Sequence, residues 1–559
     1  MRKATSLRAL SRARGESPAV LDPRHVGKLR TREPGELVTA RREASRKGKA
    51  DGRNPEMHGD EQSDKPVVPT KGPNKAGSDS VAEALEGRGL AEGNPRLRRG
   101  RPDLEPDCRP SGVERVRQAA ECNREKRFTA LLHHVTPESL EAAYGRVRAD
   151  AAAGIDGVTK EHYGRALEEN LEWLNGRVHR GAYKPKPAKR VYITKEDGTR
   201  RPLAMGALTD KIVQGAVAEV LGAIYEVDFK GFSYGFRPGR SQHDALNALA
   251  VGITRKKVGW ILDLDIKSYF DSIDREKLLK LVEIRIADKR ILRLIQLWLD
   301  AGVVDKGELM RSKRGTPQGA TISPLLANLY LHHAFDCWAN DWRGQARGDV
   351  IIVRYADDVV VGFQHRQEAE RFLGDLRTQL AEYGLELHPD KTRLIEFGRF
   401  AAEGRAKRGE GKPESFTFLG LTHSCGKSKR GKFLLLRRTA KKRLRAKLKK
   451  VKQELRRRMH ASIPEQGAWL RSVLRGYFNY HAVPTNIAAL RLFRAQVTRY
   501  WHRSLRRRSQ KGDVPWKLMQ RRCKTWLPDA RILHPWPSYA ALRHHPRQEP
   551  SAVIPHAGI

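Results

Sequence analysis

The stretch Asp349-Val350-Ile351-Ile352-Val353-Arg354-Tyr355-Ala356-Asp357-Asp358-Val359-Val360-Val361-Gly362-Phe363 decides how this chain is read. Its β-branched runs predict two strands joined by a tight connection, with adjacent carboxylates at the tip. A core would not tolerate that acidic pair, whereas a metal-binding edge requires it. Phosphoryl transfer with two metal ions about 3.5–4 Å apart needs carboxylates from at least two chain segments. A second segment is present: Ile261-Leu262-Asp263-Leu264-Asp265 reads as a hydrophobic strand ending in an acid, followed by a turn. Strand alternation puts Asp263 and Asp265 on one face and Leu262 and Leu264 on the other. Asp271 and Asp274 lie beyond the strand, where helix capping is the expected role.

Working outward, the 559 residues carry 108 Lys and Arg against 65 Asp and Glu, a formal net charge of +43. An excess of that size calls for a polyanionic partner, and nucleic acid is the expected one. The five cysteines form no C-x-x-C pair, which argues against a zinc module or a disulfide framework. No apolar run approaches the roughly 18 residues of a membrane span, and no secretory signal is evident, so no membrane partner and a cytoplasmic setting are expected.

Residues 1–112 are rich in Arg, Gly, Glu, Ser and Pro, and the first aromatic residue is Phe128. Such a segment buries too little apolar surface to offset its ordering entropy and reads as a disordered basic tail. Helical periodicity begins after it, with Phe128, Leu131, Leu132 and Val135, then Leu140, Ala143 and Val147, giving an N-terminal helical extension over 113–189. Strands are expected at Arg190 to Ile193, Gly259 to Asp265 and around the acidic pair, with helices from Asp210 to Tyr225 and Glu276 to Leu299. Interleaved strands and longer helices indicate an α+β fold over 190–425. Between Arg437 and Arg458 there are thirteen Lys or Arg and one Glu. Leu444, Leu448, Val451, Leu455 and Met459 recur there at helical spacing, predicting an amphipathic helix with a basic face. Aromatics further on, Trp469, Tyr477, Phe478, Tyr480, Phe493, Tyr500 and Trp501, are equally readable as core or as base-stacking platforms.

Asp-Ile-Lys-Ser-Tyr-Phe-Asp at 265–271, followed by Tyr-Ala-Asp-Asp at 355–358, resembles the first and third palm motifs of reverse transcriptases. Other blocks match in order. Lys195 to Leu203 looks like the fingers motif, and Ser233 to Ser241 is similar to a block typical of group II intron enzymes. Gly315-Thr316-Pro317-Gln318-Gly319 matches the nucleotide-side loop, and Leu387 to Thr392 the next palm block. Leu474-Arg475-Gly476-Tyr477-Phe478-Asn479-Tyr480-His481 resembles the maturase thumb, domain X. The resemblance, running from about residue 113 to about residue 540, is to group II intron-encoded reverse transcriptases and maturases.

That resemblance implies a right-hand polymerase with fingers and palm over 190–425, a helical thumb over 426–512, and a short C-terminal region, 513–559, that could touch target DNA. It also implies roles. Asp265, Asp357 and Asp358 would hold Mg²⁺ and serve catalysis. Lys195 and Arg201 would grip the triphosphate of a deoxynucleoside triphosphate, and Gln318 would line its pocket. Phe270 matches the residue that crowds the sugar 2′ position, with a core role as the alternative. Lys391 would contact phosphate or protonate pyrophosphate. Arg437, Lys441, Arg445, Lys449, Lys452 and Arg475 would bind group II intron RNA, and a homodimer is allowed. Many relatives carry a terminal zinc-bearing nuclease; none of its paired cysteines and histidines follows Trp526. Reverse transcriptases outside introns, and splicing cofactors without polymerase activity, are the competing readings.

Overall fold

The computed structural model describes residues 111–194, 200–508 and 514–537. The expected tail therefore lies outside the described residues, except that its last two positions already belong to a helix: Ser111 caps Gly112–Cys122 by accepting the Glu114 amide.

Eleven strands are described, in three sheets. The first joins β1 (Ala188–Thr194) and β2 (Arg200–Met205) antiparallel, then extends through β4 (Val303–Asp305) to β5 (Glu308–Met310). The central sheet contains β3 (Trp260–Asp265), β6 (Val350–Tyr355), β7 (Asp358–Phe363) and β8 (Arg393–Glu396), ordered β6-β7-β3-β8 and antiparallel throughout. β9 (Phe416–Phe418), β10 (Leu421–Lys427) and β11 (Phe433–Thr439) form the third.

The central sheet is apolar on both faces because it lies between two cores. Leu262, Leu264, Val359 and Val361 pack with Phe372 and Leu376 of the helix Arg366–Glu382. On the other side Ile261, Ile351, Val353 and Val360 meet Leu246 and Leu249 of the helix Gln242–Arg255, together with Phe416 and Leu421 of the third sheet. This is the alternation expected for β3, with continuous hydrophobic runs where both faces are covered. A third core lies in the C-terminal helices Lys441–Arg457, Ile463–His481, Ile487–Arg506 and Trp516–Trp526. Tyr477, Phe478, Phe493 and Trp501 are all buried in it, so these rings are core, and the Trp501 indole donates to Gln466 Oε1 at 2.9 Å.

Three expected elements differ. Phe128 is not helical: it pairs as an isolated bridge with Ile286, and only Leu132–His134 forms a short 3₁₀ turn. The helix expected from Glu276 to Leu299 is broken into Arg275–Glu283 and Lys289–Asp300. Both differences have one cause. The Asp288 carboxylate caps the second helix at the Arg290 amide and also accepts the amides of Leu131 and Leu132 at 2.7 and 3.1 Å. A long-range hydrogen-bond set thus overrides local periodicity. Third, the basic helix starts at Lys441, and the expected boundary at 425/426 falls inside β10.

Burial alone would raise the Asp288 carboxyl, but the amides of Leu131 and Leu132 and the contacts to Arg290 outweigh it and hold the group below its ordinary value. Asp288→Ala leaves two buried donors unsatisfied and should lower unfolding stability by about 3 kcal/mol. Because the folded value is depressed, this stabilisation is present above the ordinary Asp value near 4 and is lost as pH falls through the folded one. Urea titrations of both proteins at pH 7 and pH 3 should show the difference shrinking in acid.

Candidate active site

Register brings the acidic groups together. Asp265, at the end of β3, is the direct cross-strand partner of Asp358, at the start of β7, and Asp358 also faces Tyr355 across the turn from β6. Ala356 adopts a left-handed conformation, φ 55°, which reverses the chain within the two residues Ala356 and Asp357. The three expected carboxylates thus converge on one end of the central sheet.

On that edge, the Lys391 ammonium lies 3.0 Å from Asp265 Oδ2, so this carboxylate already holds a cation. Asp263 faces Arg393 at 3.5 Å; burial pushes its carboxyl up to about 6, against the pull of Arg393. Among the described residues no group of three or more His, Cys, Asp or Glu is placed to hold a metal ion by itself. Mg²⁺ needs none, since it keeps several waters and binds through one or two carboxylates plus substrate phosphates. The hard oxygen donors of Asp265, Asp357 and Asp358 fit such an ion.

Beside the carboxylates opens a cleft whose walls include Arg201, Phe236, Phe270, Gln318 and Asp357. Each wall is held by backbone geometry. After Asp265 the chain turns at Ser268, φ 47°, into the short helix Tyr269–Ser272. The buried Tyr269 hydroxyl donates to the Ala327 carbonyl at 2.5 Å, leaving Phe270 half-buried at the cleft. The loop at 315–320 is tied to that turn, with the amides of Gly315 and Thr316 donating to the carbonyls of Ile273 and Phe270. Its other side is tied to β2: the Ala204 amide donates to the Gln318 carbonyl at 2.6 Å, and Arg201 Nε to Gln318 Oε1 at 3.3 Å. Gly319 has φ 105°, and a Cβ there would lie 2.7 Å from the Ala204 carbonyl oxygen.

A model of the family described as reverse transcriptase (RNA-dependent DNA polymerase) matches residues 193–423. Protein YkfC of Escherichia coli is 36% identical over 276 residues, covering 43% of this chain and 71% of that protein. The group II intron-encoded protein LtrA of Lactococcus lactis is 34% identical over 225 residues, 39% of this chain and 37% of its own. The putative COX1/OXI3 intron 1 protein of Saccharomyces cerevisiae is 26% identical over 356 residues, 54% of this chain and 41% of its own. The chain thus spans less than half the length of these last two relatives.

The chain belongs to the group II intron-encoded reverse transcriptases. It is by family an RNA-directed DNA polymerase, of mixed α and β architecture. Of the reverse transcriptase's expected nucleotide residues, Arg201, Phe270 and Gln318 meet at the cleft, Lys391 sits on Asp265, and Lys195 lies outside the described residues. Of the expected RNA-binding cations, Lys441, Arg445, Lys449 and Arg475 are exposed, and Lys452 is half-buried with its ammonium over the Tyr500 ring. Arg437 is a correction. It is in β11, not in the basic helix, and only 2% exposed, with a hydrogen bond to Asn247; a buried guanidinium cannot reach RNA. Asp274 caps its helix as expected. Asp271 does not: it lies inside the short helix, its carboxyl raised by burial and drawn back by Arg190 and Arg201. Leu203 and Phe236 lie within the matched blocks 195–203 and 233–241 but had no role assigned there, and only the cleft wall singles them out; Arg190 is marked only by its pull on Asp271.

Gly319→Val would place a branched side chain against the Ala204 carbonyl in a conformation that costs on the order of 1–3 kcal/mol. It should displace Gln318 and raise KM for deoxynucleotides about tenfold while primer–template affinity, read by anisotropy, stays within about twofold.

Proposed function

We propose that this reverse transcriptase copies group II intron RNA into DNA at the cleft beside Asp265, Asp357 and Asp358, and that its basic helical layer binds the intron as a maturase. The first and central sheets would then be fingers and palm, and the C-terminal helices the thumb. The observation that carries the reading is the Asp265–Asp358 cross-strand pair opening on a cleft walled by Arg201, Gln318 and Phe270. An acidic metal edge, a cationic grip for phosphate and a bulky wall for the sugar stand side by side, as nucleotidyl transfer requires.

Asp265, Asp357 and Asp358 would hold Mg²⁺, which when bound activates the primer 3′-hydroxyl and neutralises the leaving pyrophosphate. Arg201, with Arg190 nearby, would hold the triphosphate, and Lys195 is proposed for the same task. Gln318, fixed by Ala204 and Arg201, would position the sugar and base edge. Phe270 would crowd a 2′-hydroxyl and so favour deoxynucleotides. Lys391 would release Asp265 as the metal and substrate enter and turn to the phosphates.

The maturase half rests on the exposed cations of the helix Lys441–Arg457, whose opposite face is buried through Leu444, Leu448, Val451 and Leu455. RNA helices are read through phosphate and shape, which suits Lys441, Arg445, Lys449, Lys452 and Arg475. The helix Trp516–Trp526, with Lys517, Arg521, Arg522 and Lys524, is the proposed contact to target DNA.

Asp358→Asn should abolish cDNA synthesis in a primer-extension assay while leaving RNA binding and splicing within about threefold of the wild type. Equal loss of splicing in a folded variant would refute the separation of tasks. Phe270→Ala should raise ribonucleotide incorporation at least tenfold relative to deoxynucleotide, read from alkali-sensitive products; an unchanged ratio would assign Phe270 to the core instead.

A further inference from the structure

Arg354 is completely buried at the end of β6, directly before the turn that carries Asp357 and Asp358. Its guanidinium makes four hydrogen bonds. Nε donates to Asp336 Oδ1 at 2.7 Å and one terminal nitrogen to Asp336 Oδ2 at 2.5 Å, a bidentate pair with both side chains fully buried. The other terminal nitrogen donates at 3.0 Å to Asn328 Oδ1 and at 3.0 Å to the carbonyl of Ala356. The backbone of Arg354 is fixed too, between the Phe232 carbonyl and the Tyr234 amide.

We propose that Arg354, oriented by Asp336, is a positioning residue for nucleotidyl transfer: through the Ala356 carbonyl it fixes the turn that aims Asp357 and Asp358. This rests on the reading of those carboxylates as the metal site. Ala356 is a non-glycine residue in the left-handed region, a conformation costing roughly 1–2 kcal/mol that surrounding contacts must hold in place. The Arg354 guanidinium grips it from below. From the side, Gly235 is packed so closely that a Cβ would collide with the Ala356 amide, and the Asn328 amide donates to the Gly235 carbonyl at 2.6 Å. Asp336 comes from the π-helical turn His332–Cys337, an irregularity that recurs at functional sites.

Stability alone gives no reason to keep a buried ion pair here. On the same face of β6, Ile352 is simply apolar and buried, and a buried ion pair can often be replaced by apolar residues without loss of stability. What an aliphatic side chain cannot supply is a donor for the Ala356 carbonyl.

The double variant Arg354→Met with Asp336→Leu separates the two roles, because it removes the donor without stranding a buried charge. In primer extension with the full chain, kcat should fall on the order of 10²-fold, the cost of misplacing a reacting group by about 1 Å. The Mg²⁺ concentration for half-maximal rate should rise several-fold, with thermal midpoint and primer–template affinity close to the wild type. Unchanged kcat and Mg²⁺ dependence in this folded variant would overturn the proposal. Should it fail to fold, Arg354→Lys carries the test: one ammonium keeps the charge opposite Asp336 but cannot also reach Asn328 and Ala356. Wild-type kcat and Mg²⁺ dependence in Arg354→Lys would equally overturn it, and the same losses would support it. Asp358→Asn in parallel tests the site itself: if that variant still makes cDNA, the catalytic reading fails; if it does not and the Arg354 variants are unaffected, only the positioning role fails.

Discussion

The antiparallel register between β3 and β7 is the constraint on which the rest depends. It sets Asp265 opposite Asp358, and because side chains alternate, a slip of one residue would put the two carboxylates on opposite faces. The slip is prevented by burial on both sides of the sheet. Val360 and Ile261 are committed to one core and Val359, Val361, Leu262 and Leu264 to the other. The hydrophobic effect thus aligns two carboxylates that electrostatics alone would keep apart.

From that alignment the cleft follows by a chain of short connections. The turn at Ser268 presents Phe270, the loop at 315–320 is bound to the Phe270 backbone, and β2 is bound to the loop through Ala204 and Arg201. Elements distant in sequence are linked by backbone groups, so a nucleotide site assembled this way is stiff where the base and sugar would lie. Positive charge is arranged around it at two ranges: Lys391 on Asp265 and Arg201 in the cleft wall, and the exposed cations of the helical layer beyond.

Much of this was legible in the residues. The β-branched runs around Asp357 and Asp358 became β6 and β7, the Ile261 to Asp265 stretch became β3, and the Leu444–Leu455 stripe became the buried face of its helix. Where reading failed, a long-range contact had won over a local pattern. Phe128 left helical spacing to pair with Ile286, and Asp288 broke a helix by accepting amides more than 150 positions away. Arg437 looked like one more member of a basic run, yet sheet pairing turned it inward to Asn247.

The sequence by itself determined the acidic pairs, their strands, the basic amphipathic helix and the motif order that identifies the family, because these depend on residue type and spacing. The tertiary structure decided which carboxylates face one another, which cations are exposed and which buried, and that Arg354 holds the Ala356 carbonyl. Those outcomes depend on register and burial, set by contacts among segments far apart in the chain, and no local pattern encodes them.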